Sequence, residues 1–457
     1  MSARPIDWAA MTREADPLAD RTVAAIVGPW PEGGDAPPAA GMARLAQATR
    51  LMTAWTTNAS LATWTAAPDQ ADPQVVAALR AYVDEAGRLP AWARSADIGG
   101  AEDLFMDYGP LSCTLLFCAS LPECYVLPHL SQVLHVAGQL EAHTEHRIRQ
   151  TAAMVFPVLM KGGLRAGAGG DIAQILKVRL IHATIRHLIL RGPPESAAGR
   201  VEPLAPVAPD ASLHRALLAS GWDVARQGMP CNQLELAYTL LTFSYVFLQG
   251  MRTLGLRLTE AQEHAYLHAW NVAGHVLGIR EPLMAHTMEE AATMFRQLQA
   301  TANVLPEGVD VRPALGRALL DTMARSIRVP VLRQLPVPMT RWLVGARTAR
   351  AIGADQRVGL LTRLTFAGAR WGVRIVDGAV RVLVPDFSLT RMFTRVVGYH
   401  LLTRFLLDQT RPLALPEALL QPMHATVERW HHDAAAPAWV NRLEDRLTTV
   451  GAWRPRP

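Results

Sequence analysis

From Ala101 to about Ala300 apolar residues recur at intervals of three and four, with breaks at glycine or proline. That period puts the apolar side chains of each segment on one face of an α-helix, so the stretch is predicted to be helix after helix, packed through apolar faces. The expected class is all-α. Fewer than 20 apolar residues run together anywhere: the greasiest stretch, Leu236 to Met251, carries Tyr238, Thr239, Thr242, Ser244 and Gln249 and falls short of the ~20 residues a membrane span needs. It reads as a buried core helix.

Punctuation divides the chain further. Gln139 to Leu159 reads as one helix interrupted near Pro157, and the glycine-rich Lys161 to Gly170 as a loop. Asp171 is expected to cap a long helix, Ile172 to Leu190, which Gly192-Pro193-Pro194 stops. Helices are expected over Pro209 to Met229, Asn232 to Leu254, Glu260 to Leu277 (opened by Thr259 and closed by Gly278), Pro282 to Gln297 and Pro313 to Ser326. Around Asp377-Gly378 the run Val373 to Val384 alternates apolar and polar residues, which predicts one small β-hairpin. The division that follows is an N-terminal wrapping region over residues 1–100, a functional core over 101–300 and a C-terminal helical extension over 301–457.

Composition excludes several classes. The net charge is +5, but the arginines are spread along amphipathic segments without a basic block or nucleic-acid motif, so no nucleic-acid partner is expected. Cys113, Cys118, Cys124 and Cys231 form no C-x-x-C pair and no disulfide framework. Residues 1–20 lack a secretory or twin-arginine pattern, and the expected compartment is the cytoplasm. The segment Met392 to Leu407 is amphipathic and basic and offers a face for a membrane surface or a partner, with packing on the core as the competing role.

The Asp171 segment carries the most informative single residue. His182 shares a helical face with Ile175, Val178, Arg179, Ile185, Arg186 and Ile189. An imidazole on an apolar stripe with an arginine on either side suits haem: the stripe packs on the porphyrin, the imidazole donates to iron and the guanidiniums pair with propionates. The same pattern suits a packed core histidine with arginines on the rim, and spacing alone leaves both roles open. Other constellations carry less. His264, His268 and Glu260 lie on one helical face without H-E-x-x-H order and read as a solvated surface. His143 and His146 lack the paired Glu-x-x-His repeats of a di-iron bundle, and the Gly162 to Gly170 loop lacks G-K-[ST].

The run Lys177 to Arg186, KVRLIHATIR, resembles the V-R-x-x-H-A-x-x-R segment of latex clearing proteins and MpaB-type oxygenases. Upstream, Ala119 to Pro122, Leu134 to Leu140 and Arg147 to Thr151 resemble that family's earlier blocks. Pro230 to Ala237 and Tyr266 to Ile279 resemble its later ones, so the likeness covers roughly Asp103 to Phe295, with a weaker likeness at Asp16 to Ile26.

The resemblance implies a globin-like helical core around haem b, with His182 as the proximal ligand to iron and Arg179 and Arg186 as propionate partners. It implies Arg147 and Thr151 on the distal side, orienting substrate or dioxygen and stabilising developing negative charge. A lysine that caps the iron in some members is Gln150 here. The distal glutamate of the polyisoprene cleavers falls near Ser131, where there is no carboxylate; Glu123, Glu141 and Glu145 are nearest. The implied activity is a haem-dependent oxygenase that uses O2 on a C=C bond of an apolar isoprenoid, terpenoid or lipid-like substrate. Two alternatives stay open: a protein that carries haem, a gas or an apolar ligand without turnover, and a helical lipid carrier in which His182 is merely packed.

Overall fold

The computed structural model describes residues 6–29, 39–65, 72–137, 158–160, 162–165, 169–192, 217–218, 220–256, 258–302, 310–327 and 333–368. No strand occurs among them. The predicted hairpin, residues 139–157 of the helix expected over Gln139 to Leu159, and the Met392 to Leu407 segment lie outside the described residues.

The N-terminal part folds as α1 (Trp8–Met11), α2 (Pro17–Val27), α3 (Ala39–Met52), α4 (Asn58–Ala62) and α5 (Pro73–Ala86). The starts of α2 and α5 are local chemistry. Asp16 and Asp72 accept backbone N–H groups of the first turn, and Pro17 and Pro73 occupy positions whose N–H is not needed. Then come α6 (Ser95–Asp107), α7 (Gly109–Leu115), a π-helical turn over Leu116–Ser120, α8 (Leu121–Cys124) and α9 (Pro128–Ala137). The remaining helices are α10 (Asp171–Ile189), α11 (Val224–Gln227), α12 (Gln233–Phe243), α13 (Tyr245–Thr253), α14 (Glu260–Leu277), α15 (Met288–Thr301), α16 (Arg312–Ser326) and α17 (Pro336–Ala351).

α14 has the expected bounds. Thr259 and Gln262 form a reciprocal capping box at its start, and Gly278 closes it in the left-handed conformation, φ +92°. The expected single helix from Asn232 to Leu254 is instead two. Its first half is opened by a capping box between Asn232 and Glu235, and the helix breaks at Ser244, whose Oγ donates to the Leu240 carbonyl at 2.8 Å. That side-chain bond competes with the ladder and bends the chain. A second correction concerns Asp171, which is the first residue of α10 rather than its cap. Gly170 stands at the cap with no side-chain bond to offer.

One apolar cluster runs through the described chain, from Val23 and Leu79 through Phe105, Leu176 and Tyr266 to Met323 and Met339. α14 lies against α6, α10 lies against both α2 and α14, and α12, α13 and α17 surround the π-helical turn and α8. Phe247 and Tyr266 stack at 4.6 Å with a 13° interplanar angle, locking α13 to α14. Helices α2 and α5 thus share the core that supports α10. No single helix among the described residues is long and apolar enough to cross a membrane.

Candidate functional site

α10 is buried along most of its circumference, including Ile175, Leu176, Ala183, Leu188 and Ile189. Val178, His182 and Ile185 are only partly covered, and Ile181 is 37% exposed. At roughly 100° per residue these four form one stripe, with His182 at its edge. Ile175 and Ile189, expected on the working face, are sealed in the core; Ile181, one position before the histidine, takes their place.

The His182 ring stands deep enough that burial holds its pKa down to about 4, and the charge of Arg186 pushes in the same direction. The imidazole is therefore neutral at physiological pH, with a lone pair to give. It makes no hydrogen bond to a described residue. His187, the other histidine of the helix, is fully buried, and its Nε2 accepts from Arg191 Nε at 3.2 Å, which removes it as a substitute ligand.

Arg179 and Arg186 have partners that the sequence reading did not foresee. Arg179, 8% exposed, donates through Nε and one Nη to the two carboxylate oxygens of Asp16 at 2.5 and 2.8 Å, and through its other Nη to the Val276 carbonyl at 3.0 Å. Arg186 is fully buried; its Nε and one Nη donate to Asp20 Oδ1 at 2.9 and 2.6 Å, and its other Nη to the carbonyls of Pro230 and Cys231. Burial raises the Asp20 carboxyl and Arg186 draws it back down. Both guanidiniums are thus committed to aspartates of the α2 segment and to backbone carbonyls. A propionate role for either arginine would have to be met beside these bonds. Asp16 and Asp20 are the residues that sequence reasoning missed. The signals were the weak family likeness at Asp16 to Ile26, which assigned them no role, and spacing: two aspartates four apart, one at a helix cap, set against two arginines seven apart.

Arg147 and Thr151 lie outside the described residues. Ser131 donates its Oγ to the Tyr125 carbonyl at 2.8 Å and is sealed, so no carboxylate stands at that position. Glu123, one of the nearest acids, is 2% exposed at the end of the π-helical turn and its neighbour α8. Its Oε1 accepts from Tyr238 Oη at 2.9 Å, Gln299 Nε2 at 2.5 Å and Thr348 Oγ1 at 3.4 Å. Burial pushes its pKa up to about 7 against those hydrogen bonds, so it can hold or release a proton near neutrality.

The His264–His268 pair is occupied with structure. His268 is buried, not solvated as expected, and its Nε2 accepts the Arg94 backbone N–H at 2.9 Å; His264 faces the His286 carbonyl at 3.1 Å. No group of three or more His, Cys, Asp or Glu side chains among the described residues is arranged to hold a bare metal ion. A neutral imidazole without a hydrogen bond to a described residue, beside an accessible apolar stripe, has the chemistry that would hold a haem iron and pack against the ring. The two flanking arginines are paired with Asp16 and Asp20 in this structure.

Comparison with known proteins bears on the same region. The family model described as ER-bound oxygenase mpaB/B'/Rubber oxygenase, catalytic domain, matches residues 115–375. The rubber oxygenase of Streptomyces sp. (strain K30) is 26% identical over 302 residues, 65% of this chain and 64% of that relative, so the chain spans under two thirds of the relative's length. The solved structure of a latex clearing protein in its closed state matches with a TM-score of 0.58 at 20% identity, over 93% of this chain and 91% of that one; at that identity the likeness speaks for the fold.

Proposed function

This chain belongs to the MpaB/rubber oxygenase catalytic-domain family, and from that premise we propose that it is a haem b-dependent oxygenase acting with O2 on a C=C bond of an apolar isoprenoid, terpenoid or lipid-like substrate. The observation that carries the reading is the neutral, unengaged His182 at the edge of the accessible stripe Val178–Ile181–Ile185.

His182 would hold the iron, and the stripe would pack on one porphyrin face and keep water from it. Bound there, haem would supply the dioxygen chemistry that no protein side chain provides. The chain's own part is to bind and orient. Depression of the His182 pKa keeps the ring unprotonated and available, because burial and Arg186 both disfavour the imidazolium. Arg147 and Thr151, four apart in sequence, are assigned the distal role of orienting substrate and stabilising negative charge.

The test is an absorption spectrum of the purified protein as isolated and after haemin addition, followed by oxygen uptake with isoprenoid oligomers and product analysis. A Soret band at one haem per chain, lost in His182→Ala, and oxygen-dependent carbonyl products are expected. A chain that stays colourless with haemin overturns the reading. One that binds haem but consumes no oxygen with any unsaturated apolar compound leaves a haem carrier in its place.

A further inference from the structure

Two ion pairs bracket His182. Arg179 lies three residues before it and Arg186 four after, so the anchor points stand about 10 Å apart along the helix axis, at 1.5 Å per residue. A helix held at one point can still pivot; one held on both sides of a residue is fixed in rotation and height there. Each anchor reaches a second element as well: Arg179 ties to the Val276 carbonyl at the end of α14, and Arg186 to the turn before α12, where Cys231 is held at φ +52°.

The charges matter beside the geometry. Arg186 is sealed from solvent, so its charge acts on the His182 ring through protein rather than water, and Asp20 is its counter-charge. Asp20 offsets part of the charge that Arg186 presents to the ring; without it that buried positive charge stands uncompensated. Both aspartates belong to the α2 segment, outside the family match that begins at residue 115.

We propose that Asp16 and Asp20 are positioning residues of the cofactor site, acting through Arg179 and Arg186 to fix His182 and to balance the charge around it. The assignment rests on the reading of His182 as the iron ligand. Its mechanistic content is that the α2 segment sets the donor strength and redox poise of a ligand carried by another helix.

The test uses the full-length chain as wild type, Asp20→Asn, Asp20→Glu and Asp16→Asn. Haemin titration, the Soret maximum and the spectroelectrochemical midpoint potential are read on each, with apoprotein melting as the control for folding. Asp20→Asn is expected to bind haemin about tenfold more weakly and to show a higher midpoint potential, since an uncompensated positive charge favours the reduced iron. Asp20→Glu is expected to bring the potential back toward wild type. Asp16→Asn, which removes the other counter-charge, serves if Asp20→Asn does not fold, with the same expectation. A wild-type chain that takes up no haemin overturns this assignment together with the reading beneath it. A wild-type chain that binds haemin, beside folded aspartate variants with its affinity, Soret maximum and potential, overturns this assignment alone.

Discussion

Gly278 and Asp16 pack so closely that a β-carbon on the glycine would stand 2.6 Å from Asp16 Oδ2, and only 2.8 Å from Arg179 Nε. The glycine that ends α14 therefore leaves the space in which the first ion pair forms.

Gly278→Ala should be costly for two separate reasons, the left-handed φ of +92° and the collision with the Asp16–Arg179 pair. A loss of roughly 2 kcal/mol or more is expected, above the usual cost of a side chain at a positive-φ turn. Urea denaturation of the apoprotein measures it; a loss under about 0.5 kcal/mol would show that the ion pair has room to shift.

Arg186→Ala strips Asp20 and the Pro230 and Cys231 carbonyls of their donor inside the protein. Breaking a buried pair from one side costs roughly 3–5 kcal/mol, a large share of a domain's stability. Chemical denaturation should show that loss, and Arg186→Lys, which keeps the charge but not the fork, should recover only part of it. Full recovery by lysine would mean that charge alone matters.

His182→Ala removes a half-buried ring with no hydrogen bond to a described residue. The apoprotein should keep its stability to within about 1 kcal/mol while haemin binding is lost. Equal loss of folding and binding, read by melting and by the Soret band, would make His182 a packing residue.

Stability should fall on both sides of a maximum. The pKa values of His182, His187 and His268 are held down to about 4, so the unfolded chain binds more protons than the native one between the ordinary histidine range and that value. Native stability is lost as pH drops through that window. Glu235, with its pKa pushed up to about 8 by burial, works on the other side: its native form holds a proton that the unfolded chain has released, and stability is lost as pH rises toward 8. Glu235→Gln keeps the capping-box chemistry and removes the ionisation. It should be near neutral at pH 5 and stabilising at pH 8, and denaturation at the two pH values decides it: a variant that loses as much as wild type on going to pH 8 rules out Glu235 as the source.

The helical class and the ends of α14 were readable because each is decided within a few residues, by apolar period, by Thr259 with Gln262 and by Gly278. The break at Ser244 was not, since a serine inside an apolar helix is compatible with both a straight and a bent course. The partners of Arg179 and Arg186 come from the far N-terminal part of the chain. A local pattern shows that an arginine sits beside a histidine; it does not show which carboxylate the fold will bring to it. Ile175 and Ile189 were misjudged because which part of an apolar helix stays uncovered depends on the neighbours, and the helical period carries no record of them.

The π-helical turn at Leu116–Ser120, where the Leu121 N–H reaches back to the Leu116 carbonyl, spends one residue more than an α-helical turn. Each residue turns the chain by roughly 100°, so that surplus decides which way everything after it faces. Deleting a single residue from the turn would swing Glu123 out of reach of Tyr238, Gln299 and Thr348 without altering any of the four. Loss of one codon there would therefore act on the proton-holding site more severely than many substitutions within it.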